Sequence, residues 1–127
     1  MDDFDWVTAR LECSARKVFE QLKLAIQRDI QIRNATLPQD SGVEFQVTDA
    51  GDRLVVLRYI KARSSHTYIP KSVGFVVRDE RISFGIGDES WTASLTLNKQ
   101  GRCILRLDGE ELELWEFRMR ALEELLF

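Results

Sequence analysis

Apolar and polar side chains alternate along this chain with two different periods, and the change of period marks its elements. Across residues 15–33 the apolar positions Ala15, Val18, Phe19, Leu22, Ala25, Ile26 and Ile30 recur at helical spacing, while Arg16, Lys17, Glu20, Lys23 and Gln27 fall outside their stripe. Ser14 stands where an N-cap belongs, its hydroxyl placed to accept a free backbone N–H of the first turn. The spacing therefore predicts one amphipathic helix. Residues 6–13 read as a strand with Val7, Ala9 and Leu11 on one face; Val7, Leu11, Ala15, Val18 and Leu22 also fit one longer helix.

Residues 34–42, from Asn34 through Pro38 to Gly42, read as a loop that ends the helical period, and period two takes over. Val43, Phe45 and Val47 alternate with Glu44, Gln46 and Thr48, and residues 54–60 are apolar at almost every position. Segments 73–78 and 81–86 flank Asp79-Glu80, which implies a tight hairpin. Trp91, Ala93, Leu95 and Leu97 continue the alternation, and segment 102–107 follows the turn at 98–101. The apolar face collects Phe45, Val47, Phe75, Val77, Ile82 and Phe84; the other collects polar residues and the arginines Arg78, Arg81, Arg102 and Arg106. The fold class expected is α+β: an antiparallel meander of six to seven strands, with one helix near each end of the chain packed on one face.

Asp108, with Glu111 three places on, has the spacing of a capping box and predicts the start of the last helix. Glu110, Glu111 and Glu113 then fall at the positive end of its dipole, which accounts for these acids without chemistry. Leu112, Trp115, Met119, Leu122 and Leu126 form one stripe of this helix, and Leu114, Phe117, Ala121 and Leu125 form a second on the opposite side. A helix on a one-sided sheet needs only one apolar face. The second stripe is expected to be covered by the first helix, a second copy of the chain or an apolar ligand.

The order strand, helix, six strands, helix resembles the helix-grip arrangement of START-type lipid-binding proteins and the related layout of the TATA-binding-protein fold. The resemblance lies in element order over the whole chain and in no motif. It implies a space for a small apolar ligand between the sheet and the terminal helix.

At 127 residues, 44% of them hydrophobic and 31% charged, the chain has the size and composition of a single globular domain. The net charge of −3 gives no footprint for nucleic acid. Its distribution is uneven: residues 53–81 carry seven cations and residues 108–127 seven acids, an arrangement able to orient a partner. Cys13 and Cys103 stand ninety positions apart without metal-ligand spacing, and with no apolar run long enough to span a bilayer they imply a cytoplasmic protein with reduced thiols and no metal or cofactor. A disulfide between them is the second reading.

Reactive side chains are concentrated in residues 61–72. There Arg63, Ser65, His66, Tyr68 and Lys71 together could hold a phosphate or carboxylate, with Arg63 as bidentate donor and His66 as base. No carboxylate in the segment orients the imidazole, so no catalytic constellation converges. Gly85-Ile86-Gly87-Asp88-Glu89-Ser90 lacks the Lys-Ser/Thr of a phosphate-binding loop and reads as a turn. The expectation is a non-enzymatic interaction module, a homodimer through Leu114, Phe117, Ala121 and Leu125. The alternatives are a carrier or enzyme for a small apolar ligand, and an anion-binding loop at 61–71.

Overall fold

The computed structural model describes residues 3–60 and 71–127. Its elements in order are α1 (Trp6–Glu12), α2 (Ala15–Thr36), β1 (Val43–Asp49), β2 (Arg53–Ile60), β3 (Lys71–Arg78), β4 (Arg81–Ile86), β5 (Glu89–Leu97), β6 (Cys103–Leu107), β7 (Glu110–Leu112) and α3 (Leu114–Leu126). The strands form one antiparallel sheet in sequential order β1 to β7, so every connection is local. The α+β class and the seven-stranded meander agree with the alternation of the sequence.

Two elements differ from expectation. Residues 6–12 are a helix, not a strand. Asp5 caps it, its carboxylate accepting from the Thr8 backbone N–H at 3.0 Å and from the Thr8 hydroxyl at 2.6 Å. Local capping chemistry thus outweighs the β-propensity of Trp6, Val7 and Thr8. Extended backbone at Ser14 breaks the chain direction, and the Ser14 hydroxyl accepts the Lys17 N–H at 3.3 Å to start α2 as a separate helix. The leading strand of the helix-grip order is therefore missing, and that resemblance is not upheld.

The second difference lies at residues 108–112. Asp108 does not cap a helix. Asp108 (φ 50°) and Gly109 (φ 80°) form a two-residue turn that pairs Leu107 with Glu110 and adds β7 to the sheet. Asp-Gly is a strong signal for such a turn because both central residues need positive φ. The helix starts later, where the Glu113 backbone N–H donates to the Glu116 carboxylate at 3.0 Å.

All the helical cover lies on one face of the sheet. There Phe45, Leu54, Val56, Phe75, Ile82 and Phe84 meet the inner stripes of α2 and α3. The rings of Phe75, Phe84 and Phe117 fill the space between helix and sheet: Phe117 stands edge-on to Phe84 at 5.3 Å and lies 6.4 Å from Phe75. Trp91 stacks on the far side of Phe84 at 4.9 Å.

The free edge of β1 is closed by a side chain. Asn34 of α2 accepts the Phe45 N–H at 3.0 Å and donates to the Phe45 carbonyl at 2.9 Å, doing what a further strand would do. One residue pair away the Ser41 hydroxyl accepts the Val43 N–H. Lys23, only 8% exposed along its side chain, reaches from α2 to Asp49 at 3.1 Å and to Glu20 at 3.2 Å. Burial alone would depress this ammonium; the two carboxylates overcome that and hold its pKa above the ordinary lysine value.

Cys13 and Cys103 are joined in a disulfide, with Cα atoms 5.3 Å apart, so the expectation of reduced, buried thiols is corrected. The helical turn of α1 delivers Cys13 to the start of β6, a proximity that ninety residues of sequence separation hide. Cys13 is buried, while Cys103 is exposed and not in the core.

Two predictions follow from these devices. Glu80 sits at φ 59° in the two-residue turn between β3 and β4, a conformation that costs side-chain-bearing residues energy. Glu80→Gly should raise the free energy of urea unfolding by about 0.5–1 kcal/mol while Glu80→Ala does not, which separates backbone strain from charge. Cross-linking a loop of this length constrains the unfolded chain, so dithiothreitol should lower stability by about 2–5 kcal/mol. An unchanged thermal midpoint after reduction would contradict the second expectation.

Candidate interaction surface

The two stripes of α3 have distinct environments, and the structure assigns them in the opposite sense to the sequence reading. Phe117, Ala121 and Leu125 are buried against β3 and β4, and half-buried Leu114 packs beside them. The stripe expected to await a partner is the one the sheet takes, with Phe117 seated between Phe75 and Phe84. The other stripe divides along its length. Leu122 and Leu126 are buried where α3 meets α2, whereas Trp115 is 53% and Met119 48% exposed.

Trp115 and Met119 line a groove of about 600 Å³ between α2 and α3, joined from α2 by Ile32, 53% exposed, and closed at one end by Phe127. Charges hold the two helices together along it. Arg118 donates to Asp29 at 2.8 Å, a pair only 20% and 30% exposed. At the far end Arg33 donates from Nε to the Leu126 carbonyl at 2.6 Å and lies 4.6 Å from the Phe127 ring centroid. A cation there satisfies carbonyls that the last turn of a helix leaves free. At the near end the Glu113 carboxylate accepts from Trp115 Nε1 at 2.8 Å and from Arg102 at 2.9 Å, which fixes the indole over the surface.

A second apolar surface lies on α1, none of whose residues is buried. Phe4, Trp6, Val7 and Leu11 are all exposed, and Phe4 rests its ring on the turn at Gly101. The disulfide ties this helix to Cys103, the residue next to Arg102, so both surfaces are anchored at the same corner of the sheet.

Of the residues expected to form an anion site, Arg63, Ser65, His66 and Tyr68 lie outside the described residues; Lys71 opens β3, exposed. The four arginines of the polar face do not act as one cluster. Arg102 pairs with Glu113 and Arg106 with Glu111, while Arg78 reaches only its neighbour Asp79 at 3.9 Å. Among the described residues no group of three or more His, Cys, Asp or Glu side chains is gathered as a metal site would need, and no helix is long and apolar enough to cross a membrane.

The architecture defines the chain as an antiparallel-meander α+β protein with a two-helix cover. No protein-family model matches the sequence, and neither the curated proteins nor the solved structures contain a match to it.

The reversal of the stripes has a direct check. Phe117→Ala should lower the free energy of unfolding by about 3–5 kcal/mol, as removal of a fully buried ring does, whereas Met119→Ser should change it by no more than about 0.5 kcal/mol. Chemical denaturation of the two variants side by side distinguishes them; equal losses would mean that the outer stripe is core.

Proposed function

We propose that this protein is a non-enzymatic interaction module that self-associates through the α2–α3 groove. The carrying observation is the exposed row of Ile32, Trp115, Met119 and Phe127 on a fold whose core is already complete without them. Large apolar side chains grouped on one surface mark a site of association, whereas the same residues scattered singly would not.

Two features favour a second copy of the chain as the occupant. The rim of the groove carries Asp29, Arg33, Arg118 and Glu123, two charges of each sign, so the face meets its own copy without net repulsion. A two-fold interface needs such a self-complementary patch. The route by sheet edges is partly occupied at β1, where Asn34 pairs with Phe45, and short at three-residue β7, which favours the helical face. The disulfide favours an oxidising compartment over the cytoplasm in this reading.

The competing reading, a carrier for an apolar ligand between sheet and terminal helix, has less support because Phe75, Phe84 and Phe117 occupy that space. Sedimentation equilibrium at micromolar concentration tests the proposal. A mass near twice the 14.7 kDa of the chain is expected. Met119→Glu should return it to the monomer with unchanged thermal stability. A wild-type protein that stays monomeric throughout the range overturns the reading.

A further inference from the structure

Met119 and Glu123 of α3 also line a second groove, of about 460 Å³, between that helix and the β4–β5 end of the sheet. Its floor is apolar. Trp91, half-buried, stacks on buried Phe84 with ring centroids 4.9 Å and planes 18° apart, and Ile86 at the end of β4 extends the lining. Aromatic and aliphatic surface of this kind holds the apolar body of a ligand, and the charged groups around it select which one.

The charges around this floor are one-sided. Glu89 of β5 and Glu123 and Glu124 of α3 are exposed, and none of their carboxylates makes an ion pair or hydrogen bond among the described residues. Glu110, Glu111 and Glu113, by contrast, each hold an arginine. Among the described residues Arg120 is the one cation of the lining, and Glu110 already engages it at 2.7 Å. Three carboxylates against one guanidinium leave the lining a formal charge of −2. The three acids are not gathered as they would be around a metal ion. They stand on both sides of the floor, Glu89 on the strand and Glu123 and Glu124 on the helix. The complement of such a groove is an extended dication with an apolar middle.

We propose that this groove binds a linear aliphatic diamine. Its methylenes lie over Trp91 and Ile86, with one ammonium group at Glu89 and the other at Glu123 and Glu124. An ammonium close to the floor also gains from the indole face, the best cation acceptor among aromatic side chains. Glu89, Trp91 and Glu124 are not part of the α2–α3 groove, so the site does not rest on self-association.

Titration of the isotope-labelled full chain at low ionic strength, followed by NMR of its indole N–H signals, tests this with cadaverine, pentylamine and magnesium chloride as probes. Trp91→Phe assigns the Trp91 signal. Cadaverine should shift that signal and leave the signal of Trp6, on α1, in place. An exposed ion pair contributes only a few-fold to affinity, so pentylamine, with one ammonium, should bind about threefold or more weakly. Magnesium carries the same charge without an apolar body and should also bind more weakly than cadaverine. Combining Glu89→Gln with Glu124→Gln should cost about tenfold in cadaverine affinity and leave the thermal midpoint in place, since both side chains are exposed. Glu111→Gln, paired with Arg106 on the outer face of the sheet, should leave the affinity unchanged. A Trp91 signal that does not move, pentylamine or magnesium binding as tightly as cadaverine, or a double variant with wild-type affinity would each overturn the proposal.

Discussion

The edge-on contact between Phe117 and Phe84 is the constraint on which the arrangement of this protein depends. A seven-stranded sheet with one apolar face has to be covered on that face, and α2 packs against β1, β3 and β4 but leaves the β6–β7 side to another element. The remainder falls to a helix of thirteen residues, too short to be stable without tertiary packing. Seating Phe117 between Phe75 and Phe84 supplies that packing and at once sets the rotation of α3 about its axis. Everything on the outside of the helix follows from that rotation. Leu122 and Leu126 turn towards α2, Trp115 and Met119 turn to the surface, and Arg118 arrives at Asp29.

Most of the sheet was legible from the chain because period-two alternation survives wherever one face of a strand is buried and the other wet. Phe45-Gln46-Val47, Ile82-Ser83-Phe84 and Ala93-Ser94-Leu95 each mark a strand with its core face. What misled lay in short segments, where two periods share the same residues. In residues 6–12, Val7 and Leu11 serve a strand or a helix equally, and the decision rests with one carboxylate, that of Asp5. At Asp108 the same residue type serves a helix cap or a positive-φ turn, and the following glycine was the signal that should have decided it. The later helix start moves Leu112 from the first stripe into β7, and the seating of Phe117 exchanges the surroundings expected for the two stripes. That exchange was not readable, since periodicity shows that two apolar faces exist and says nothing about which one a sheet takes.

Contacts between elements distant in sequence were the least legible. Asn34 reads as the first residue of a loop, yet it lies in the last turn of α2 and is the group that completes the hydrogen bonding of Phe45. Cys13 and Cys103 read as two unrelated thiols until α1 carries one to the other. Lys23 reads as a solvated position of an amphipathic helix and is instead a buried link to Asp49. All three interactions bind α1 or α2 to the sheet through polar or covalent chemistry. Hydrophobic pattern carries no record of such chemistry, because each site is specified by the fold of both partners.

These links also explain why the surface properties divide as they do. With Phe45 on the β1 edge already paired to Asn34, part of the usual route by which sheets associate is occupied, while the apolar residues left at the surface lie on the helices. The cations have been sorted too. Arg16, Lys23, Arg102, Arg106, Arg118 and Arg120 each have a carboxylate within ion-pair distance, several of them between separate elements. The pairing is selective: among the described residues Arg28, Arg53, Arg58, Lys71, Arg81 and Lys99 have no carboxylate within ion-pair distance, so the ion pairs gather mainly at the joints between elements and not over the surface at large.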